Sequence, residues 1–127
     1  MLDTVEDVRP LLDACAVTIN PQPELRGSSL KVIESMAAGR MCVSTRAGAR
    51  GWLEPPPRGL VAVDRVEDFV PPLVRLLGDE RQRLAREAPE PERLAACSWP
   101  TAGQALRAYV REVIARTSER KGIDAEH

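Results

Sequence analysis

Residues 20–45 read NPQPELRGSSLKVIESMAAGRMCVST, and the order of signals in this stretch decides the fold. Just upstream, Ala16-Val17-Thr18-Ile19 is a short β-branched run that stops at Asn20-Pro21, a turn signal. Gln22 to Gly27 is a polar loop with a further proline and a glycine. Ser28 or Ser29 is placed to cap a helix beginning at Leu30, its hydroxyl oxygen accepting from an amide of the first turn. Leu30, Ile33 and Ala37 recur at helical spacing with Val32 and Met36 beside them, which gives that helix a wide apolar face. Gly39 is the expected left-handed residue past its end. Met41-Cys42-Val43 then reads as a buried strand. Strand, glycine-serine loop, helix and strand in this order make one βαβ unit of a parallel sheet.

Parallel sheets of this kind bind ligands beyond the carboxyl ends of their strands. The loop at 26–29 lies at that edge and also at a helix N-terminus, where free amides and the positive dipole end favour an anion such as phosphate. Lys31 and Glu34 are three apart and share a face, with Gly27 and Ala38 extending the stripe. A lysine there can neutralise a phosphate, and a carboxylate one turn deeper can accept from sugar hydroxyls. Taken alone, the pattern equally describes a solvated ion pair worth about 0.2–0.5 kcal/mol.

Working outward, Thr4 to Ala14 predicts a helix with Asp7 as N-cap and Pro10 in the first turn. Residues 46–59, RAGARGWLEPPPRG, are a glycine- and proline-rich loop at the same edge of the sheet, and Pro55-Pro56-Pro57 stiffens it. Arg46 and Arg50 lie within that loop, where ordinary surface roles compete with phosphate contact. Gly59-Leu60-Val61-Ala62-Val63 is a third short strand. A helix led in by Val66-Glu67-Asp68 runs to Leu77, with Phe69, Leu73, Leu76 and Leu77 on one side and Pro71-Pro72 in its first turn. A polar helix follows from Glu80 to about Glu87, then a shorter one from Glu92 to Ala96. Ser98-Trp99-Pro100 opens a last helix whose stripe is Ala102, Leu106, Tyr109, Val110, Val113 and Ile114. The expected division is 1–98 for the sheet lobe, 99–121 for the last helix and 122–127 for a frayed tail.

Composition bounds the chemistry. The 127 residues make one domain, and 43% hydrophobic content supports a core built from Leu, Val, Ala and Ile, since aromatics are only 3%. Lys and Arg number 18 against 19 Asp and Glu, a net charge of -1 that argues against a nucleic-acid binder. Cys15, Cys42 and Cys97 are odd in number and widely spaced, which fits free thiols in a reducing, cytoplasmic setting. The single histidine, His127, is the last residue, so no histidine-based triad or histidine metal site is expected. The opening residues read as no signal peptide, and no apolar run reaches the ~20 residues of a membrane span.

LRGSSLKVIESMAAGRMCVSTRAGARGW resembles the donor-site segment of family 4 (group 1) retaining glycosyltransferases. Their pattern is a glycine-containing loop, a helix with Leu-Glu-Ala-Met-Ala-x-Gly, a strand ending Val-Ser-Thr and a Gly-x-x-Gly-Leu turn. Ile33-Glu34-Ser35-Met36-Ala37-Ala38-Gly39, Val43-Ser44-Thr45 and Gly48-Ala49-Arg50-Gly51-Trp52 occupy those places. The resemblance implies an α/β fold, a partial Rossmann-like parallel sheet with flanking helices that forms the C-terminal part of a GT-B fold. It implies that Glu34 binds the ribose of a nucleotide-sugar and that Gly27, Ser28, Ser29, Leu30 and Lys31 lie at the diphosphate. It also implies that backbone near Thr4-Val5 approaches the base, and that Gly48 and Gly51 shape a turn near the donor. Many members carry a further glutamate eight positions before the one matched by Glu34; here that position is Arg26. Gly27-Ser28-Ser29-Leu30-Lys31 is similar instead to a subgroup with a Gly-Thr/Ser-x-x-Lys loop.

The expected function is therefore the donor-binding part of a glycosyltransferase that moves a sugar from a nucleotide-diphosphate donor to a hydroxyl acceptor, incomplete as a standalone chain. No catalytic residue, metal or cofactor is assigned, and the nucleotide-sugar is the donor substrate. The expected partner is an N-terminal acceptor lobe or a second chain supplying it. Self-association through an open sheet edge and peripheral membrane attachment of the full enzyme are further expectations. A non-catalytic interaction module derived from the same lobe is the rival reading. A flavodoxin-like phosphate-binding domain is a third.

Overall fold

The computed structural model describes the backbone of residues 4–27, 29–87 and 90–125, with side chains to Thr117. The chain divides into two compact units, Met1–Glu90 and Pro91–His127. The first is an α/β unit. Its strands β1 (Val17–Asn20), β2 (Met41–Thr45) and β3 (Leu60–Val63) form a parallel sheet in the order β1-β2-β3. Val17 pairs with Met41 and Cys42 with Leu60, which sets the register throughout. Helix α2 (Leu30–Ala37) joins β1 to β2, as the βαβ reading requires, and Gly39 after it adopts φ +67°. Arg46 to Gly59 joins β2 to β3 without a regular element.

All five residues of β2 are buried, the signature of a central strand covered on both faces. Alternation sends Met41 and Val43 to one side. There they meet Phe69 and Leu76, with Val17, Val61, Val63 and Leu73 packed around them. This apolar layer is closed by α3 (Val70–Gly78), entered through a single 3-10 turn at Val66–Phe69. The opposite side carries Thr18 and Cys42 under α2, where Val32, Ser35 and Met36 are buried. Here the packing is partly polar: the Thr18 and Ser35 hydroxyls are 2.7 Å apart. The result is a partial Rossmann-like sheet flanked by helices, with the loops after β1 and β2 at one edge.

The other edge, where the strands begin, is fastened by charge. Arg40 Nε and Nη2 donate to the carbonyls of Leu12 and Asp13 and so close α1 (Arg9–Ala14). Its Nη1 lies 3.6 Å from Glu87, at the end of α4 (Glu80–Arg86). Arg83 Nε lies 3.4 Å from the same carboxylate, while its Nη1 donates to the Leu76 carbonyl. Asp79 caps α4, accepting from the Gln82 amide at 2.9 Å.

One element start differs from the sequence reading. Helix α1 begins at Arg9 with Val8 as its N-cap, later than a cap at Asp7 allows, and Pro10 lies in its first turn, where a missing N–H is tolerated. The Asp7 carboxylate still accepts from the Arg9 amide at 2.9 Å. Helix α3 starts at Val70 with Pro71 and Pro72 in its first turn, as the sequence reading has it, and Val66–Phe69 lead into it as a separate 3-10 turn.

The second unit holds α5 (Pro91–Ala96) and α6 (Trp99–Ala125). Ser98 opens α6, its hydroxyl 3.0 Å from that of Thr101. Leu106, Tyr109, Val110, Val113 and Ile114 are exposed along it. Among the described residues no helix is long and apolar enough to cross a membrane.

Candidate functional site

At the carboxyl edge of the sheet, the loop after β1 and the loop after β2 are joined by a series of hydrogen bonds. Asn20, the last residue of β1, donates from Nδ2 to the Gly48 carbonyl at 3.0 Å and to Ser44 Oγ at 3.2 Å. Thr45 Oγ1 donates to the Gln22 carbonyl and accepts from the Gly48 amide. Arg50 donates to the Gly27 carbonyl, and the Arg50 carbonyl accepts from Ser29 Oγ, both at 2.8 Å. The turn 46–51 and the entry to α2 are thus tied together. Gly27 (φ +65°) and Gly51 (φ +85°) take backbone conformations that other residues adopt at a cost, which explains glycine at both places.

Two clefts open here. The first, of about 560 Å³, lies among α1, β1 and α2 and is lined by Leu11, Cys15, Thr18, Ile19, Lys31 and Glu34 among others. Its walls are mostly apolar, and Lys31 and Glu34 are exposed on its α2 side. The second, of about 510 Å³, is bounded by Leu25, Arg46, Ala47, Arg50, Leu53 and Glu54. Arg46 is paired there with Asp64 at 2.8 Å.

The structure places the residues singled out in the sequence as follows. Lys31 and Glu34 share one cleft wall. Gly27 and Ser29 are tied to Arg50 at the entry to α2 and do not line that cleft. Leu30 is exposed, and Ser28 lies outside the described residues. The cap differs from expectation. Ser29 is the N-cap residue, but its φ of -78° and ψ of 39° do not turn the hydroxyl back onto the helix. The hydroxyl donates to Arg50 instead, and among the described residues no side chain caps α2. Arg26, standing where a second glutamate was sought, is paired with Glu24 at 2.9 Å.

Asn20, Thr45 and Arg50 were not marked by sequence reasoning as the fasteners of this edge. The available signal was the alternation Thr18/Asn20 on β1 and Cys42/Ser44 on the fully buried β2. Once the two strands pair, Thr18 faces Cys42 and Asn20 faces Ser44. Cys42 belongs to this seam but not to the clefts. Burial pushes its thiol pKa up, and hydrogen bonds from Thr18 and Ser35 partly oppose that. Among the described residues no group of His, Cys, Asp or Glu is arranged to hold a metal ion.

A comparison with curated proteins finds no match. The family model described as glycosyl transferases group 1 matches residues 1–79, more than half of the chain. That span takes in α1, the whole βαβ unit, both loops at the carboxyl edge and β3. The chain belongs to the group 1 glycosyl transferases.

Proposed function

We propose that this chain is the donor-binding part of a family 4 retaining glycosyltransferase, its lobe being the C-terminal one of a GT-B enzyme. A nucleotide-diphosphate sugar is held at the carboxyl edge of the sheet, and the sugar passes to a hydroxyl acceptor presented by a partner lobe. The diphosphate sits at the N-terminus of α2, beside Gly27, Ser28, Ser29 and Leu30. Lys31 neutralises part of its charge, and Glu34 accepts from the ribose hydroxyls. Amides and lysine together stabilise the nucleoside diphosphate as it leaves, the same differential stabilisation that serves any departing anion. No residue of this chain is assigned as a catalytic base. The thiol pattern favours action in the cytoplasm.

One observation carries this reading. Ser29, the N-cap residue, gives its hydroxyl to Arg50, so among the described residues no side chain caps α2, while Lys31 and Glu34 stand exposed on the wall of one cleft. A helix start left uncapped next to a cation is suited to an anionic ligand. Calorimetric titration with UDP and GDP tests it. Glu34→Ala should weaken the nucleotide that binds by about tenfold, the worth of a hydrogen bond to a charged group. Because Glu34 is exposed, the melting temperature should not move. Unchanged affinity in the variant would remove Glu34 from the site.

A further inference from the structure

Asn20 is 1% exposed, yet only one end of its amide is used. Nδ2 donates to the Gly48 carbonyl and to Ser44 Oγ, and among the described residues Oδ1 has no hydrogen-bond partner. The orientation is fixed by Gly48, since the reversed amide would set oxygen against a carbonyl. A buried amide with an unmet oxygen is a poor choice for packing alone; an apolar side chain of similar size would remove that oxygen but leave the Gly48 carbonyl without its donor, so the amide is there for the bond to Gly48. Gly48 is matched to it: a Cβ at position 48 would lie 2.6 Å from Asn20 Nδ2 and 2.8 Å from Ser44 Oγ. The close approach of backbone to amide therefore exists only with glycine opposite asparagine.

From Gly48 the connection continues outward. The turn carries Arg50, which holds the Gly27 carbonyl and receives Ser29 Oγ, and these residues form the entry to α2. We propose that Asn20 is a positioning residue of the donor site: from inside the sheet, through Gly48 and Arg50, it sets where the first amides of α2 stand. It touches no ligand itself. This inference rests on the donor reading above for its affinity test, and on geometry alone for its second test.

The experiment uses the full chain with Asn20→Ala, Asn20→Leu and Ser44→Ala. Asn20→Leu fills the volume and removes the orphaned acceptor, so it guards against loss of fold in the alanine variant. Affinity for UDP or GDP should fall by about tenfold in both Asn20 variants, the scale on which small misplacements of binding groups act. Asn20→Leu should do this with a smaller drop in melting temperature than Asn20→Ala, so the two variants lose affinity alike while differing in stability, a split that a merely structural residue would not produce. Ser44→Ala, which leaves the bond to Gly48 in place, should bind nearly as the parent does. Amide hydrogen exchange supplies the readout that needs no ligand. Exchange should quicken at Gly48–Gly51 and at Ser29–Lys31 in the Asn20 variants, and not in Ser44→Ala. Parent-like exchange at Ser29–Lys31 in both Asn20 variants would overturn the proposal, as would parent-like affinity in both. A parent protein that binds neither nucleotide would count against the donor reading, and the exchange pattern would still decide the role of Asn20.

Discussion

Glu34 and Ser35 are consecutive on α2 and serve opposite ends. Glu34 reaches a cleft, while Ser35 is buried beneath the helix, hydrogen-bonded toward Thr18 and to the Lys31 carbonyl. Cys42 lies in the same buried seam, and its raised thiol pKa has a sign that can be checked. The folded state favours the neutral thiol. Above the ordinary thiol value of about 8.5 the unfolded chain loses this proton first, so stability is intact below that pH and declines as pH rises past it. Cys97 is exposed and Cys15 half-buried. A disulfide reagent should therefore label Cys97 first and reach Cys42 only as the protein unfolds; three thiols reacting in one fast phase would contradict the burial of β2. At this scale the exposure of Lys31 and Glu34 was legible from their spacing. The use of Asn20 was not, because a residue next to a proline reads as a turn until strand register puts Ser44 and Gly48 against it.

The elements are held differently at the two edges of the sheet. The carboxyl edge is joined mainly by side-chain hydrogen bonds to loop carbonyls and amides, whereas the opposite edge gathers Arg40, Arg83 and Glu87 around the ends of α1, α3 and α4. The Glu87 side chain is 8% exposed and that of Arg83 12%. At 3.4 Å the contact between Arg83 Nε and Glu87 Oε1 is a charge contact without a hydrogen bond, and both atoms are otherwise unpaired. Removing the carboxylate strands two guanidinium groups in partly buried surroundings. Glu87→Ala should cost about 3 kcal/mol, the low end for breaking a buried pair, read as a lower urea midpoint with unchanged slope. A loss below about 1 kcal/mol, the level of surface pairs, would show the network to be solvent-screened. The three strands, α2 and the order of the later helices followed from apolar periodicity and from proline and glycine placement. This network did not, since Arg40 and Glu87 are distant in sequence and meet only after α4 folds back along the sheet. The start of α1 differs from the reading because the Asp7 carboxylate is engaged by the Arg9 guanidinium as well as its amide, and Val8 takes the N-cap position.

For the molecule as a whole, the sheet covered on both faces and the family match agree on a group 1 glycosyl transferase with a partial Rossmann-like fold, and the loops after β1 and β2 form the edge at which the donor is proposed to bind. Among the described residues β1 has a strand on one side only, and Ile19, Val8 and Leu11 are exposed beside it. Such an edge is a template for a further strand. The central claim is narrower: a diphosphate occupies the uncapped start of α2 while Glu34 holds the ribose. Nuclear magnetic resonance titration of the full chain with UDP and with GDP tests it most directly. The account predicts saturable amide shifts at Gly27, Ser29–Lys31 and Gly48–Gly51 for at least one of the two nucleotides, sharply reduced in Glu34→Ala. A folded chain whose amides in these segments do not respond to either nucleotide, or respond identically with alanine at position 34, would contradict it.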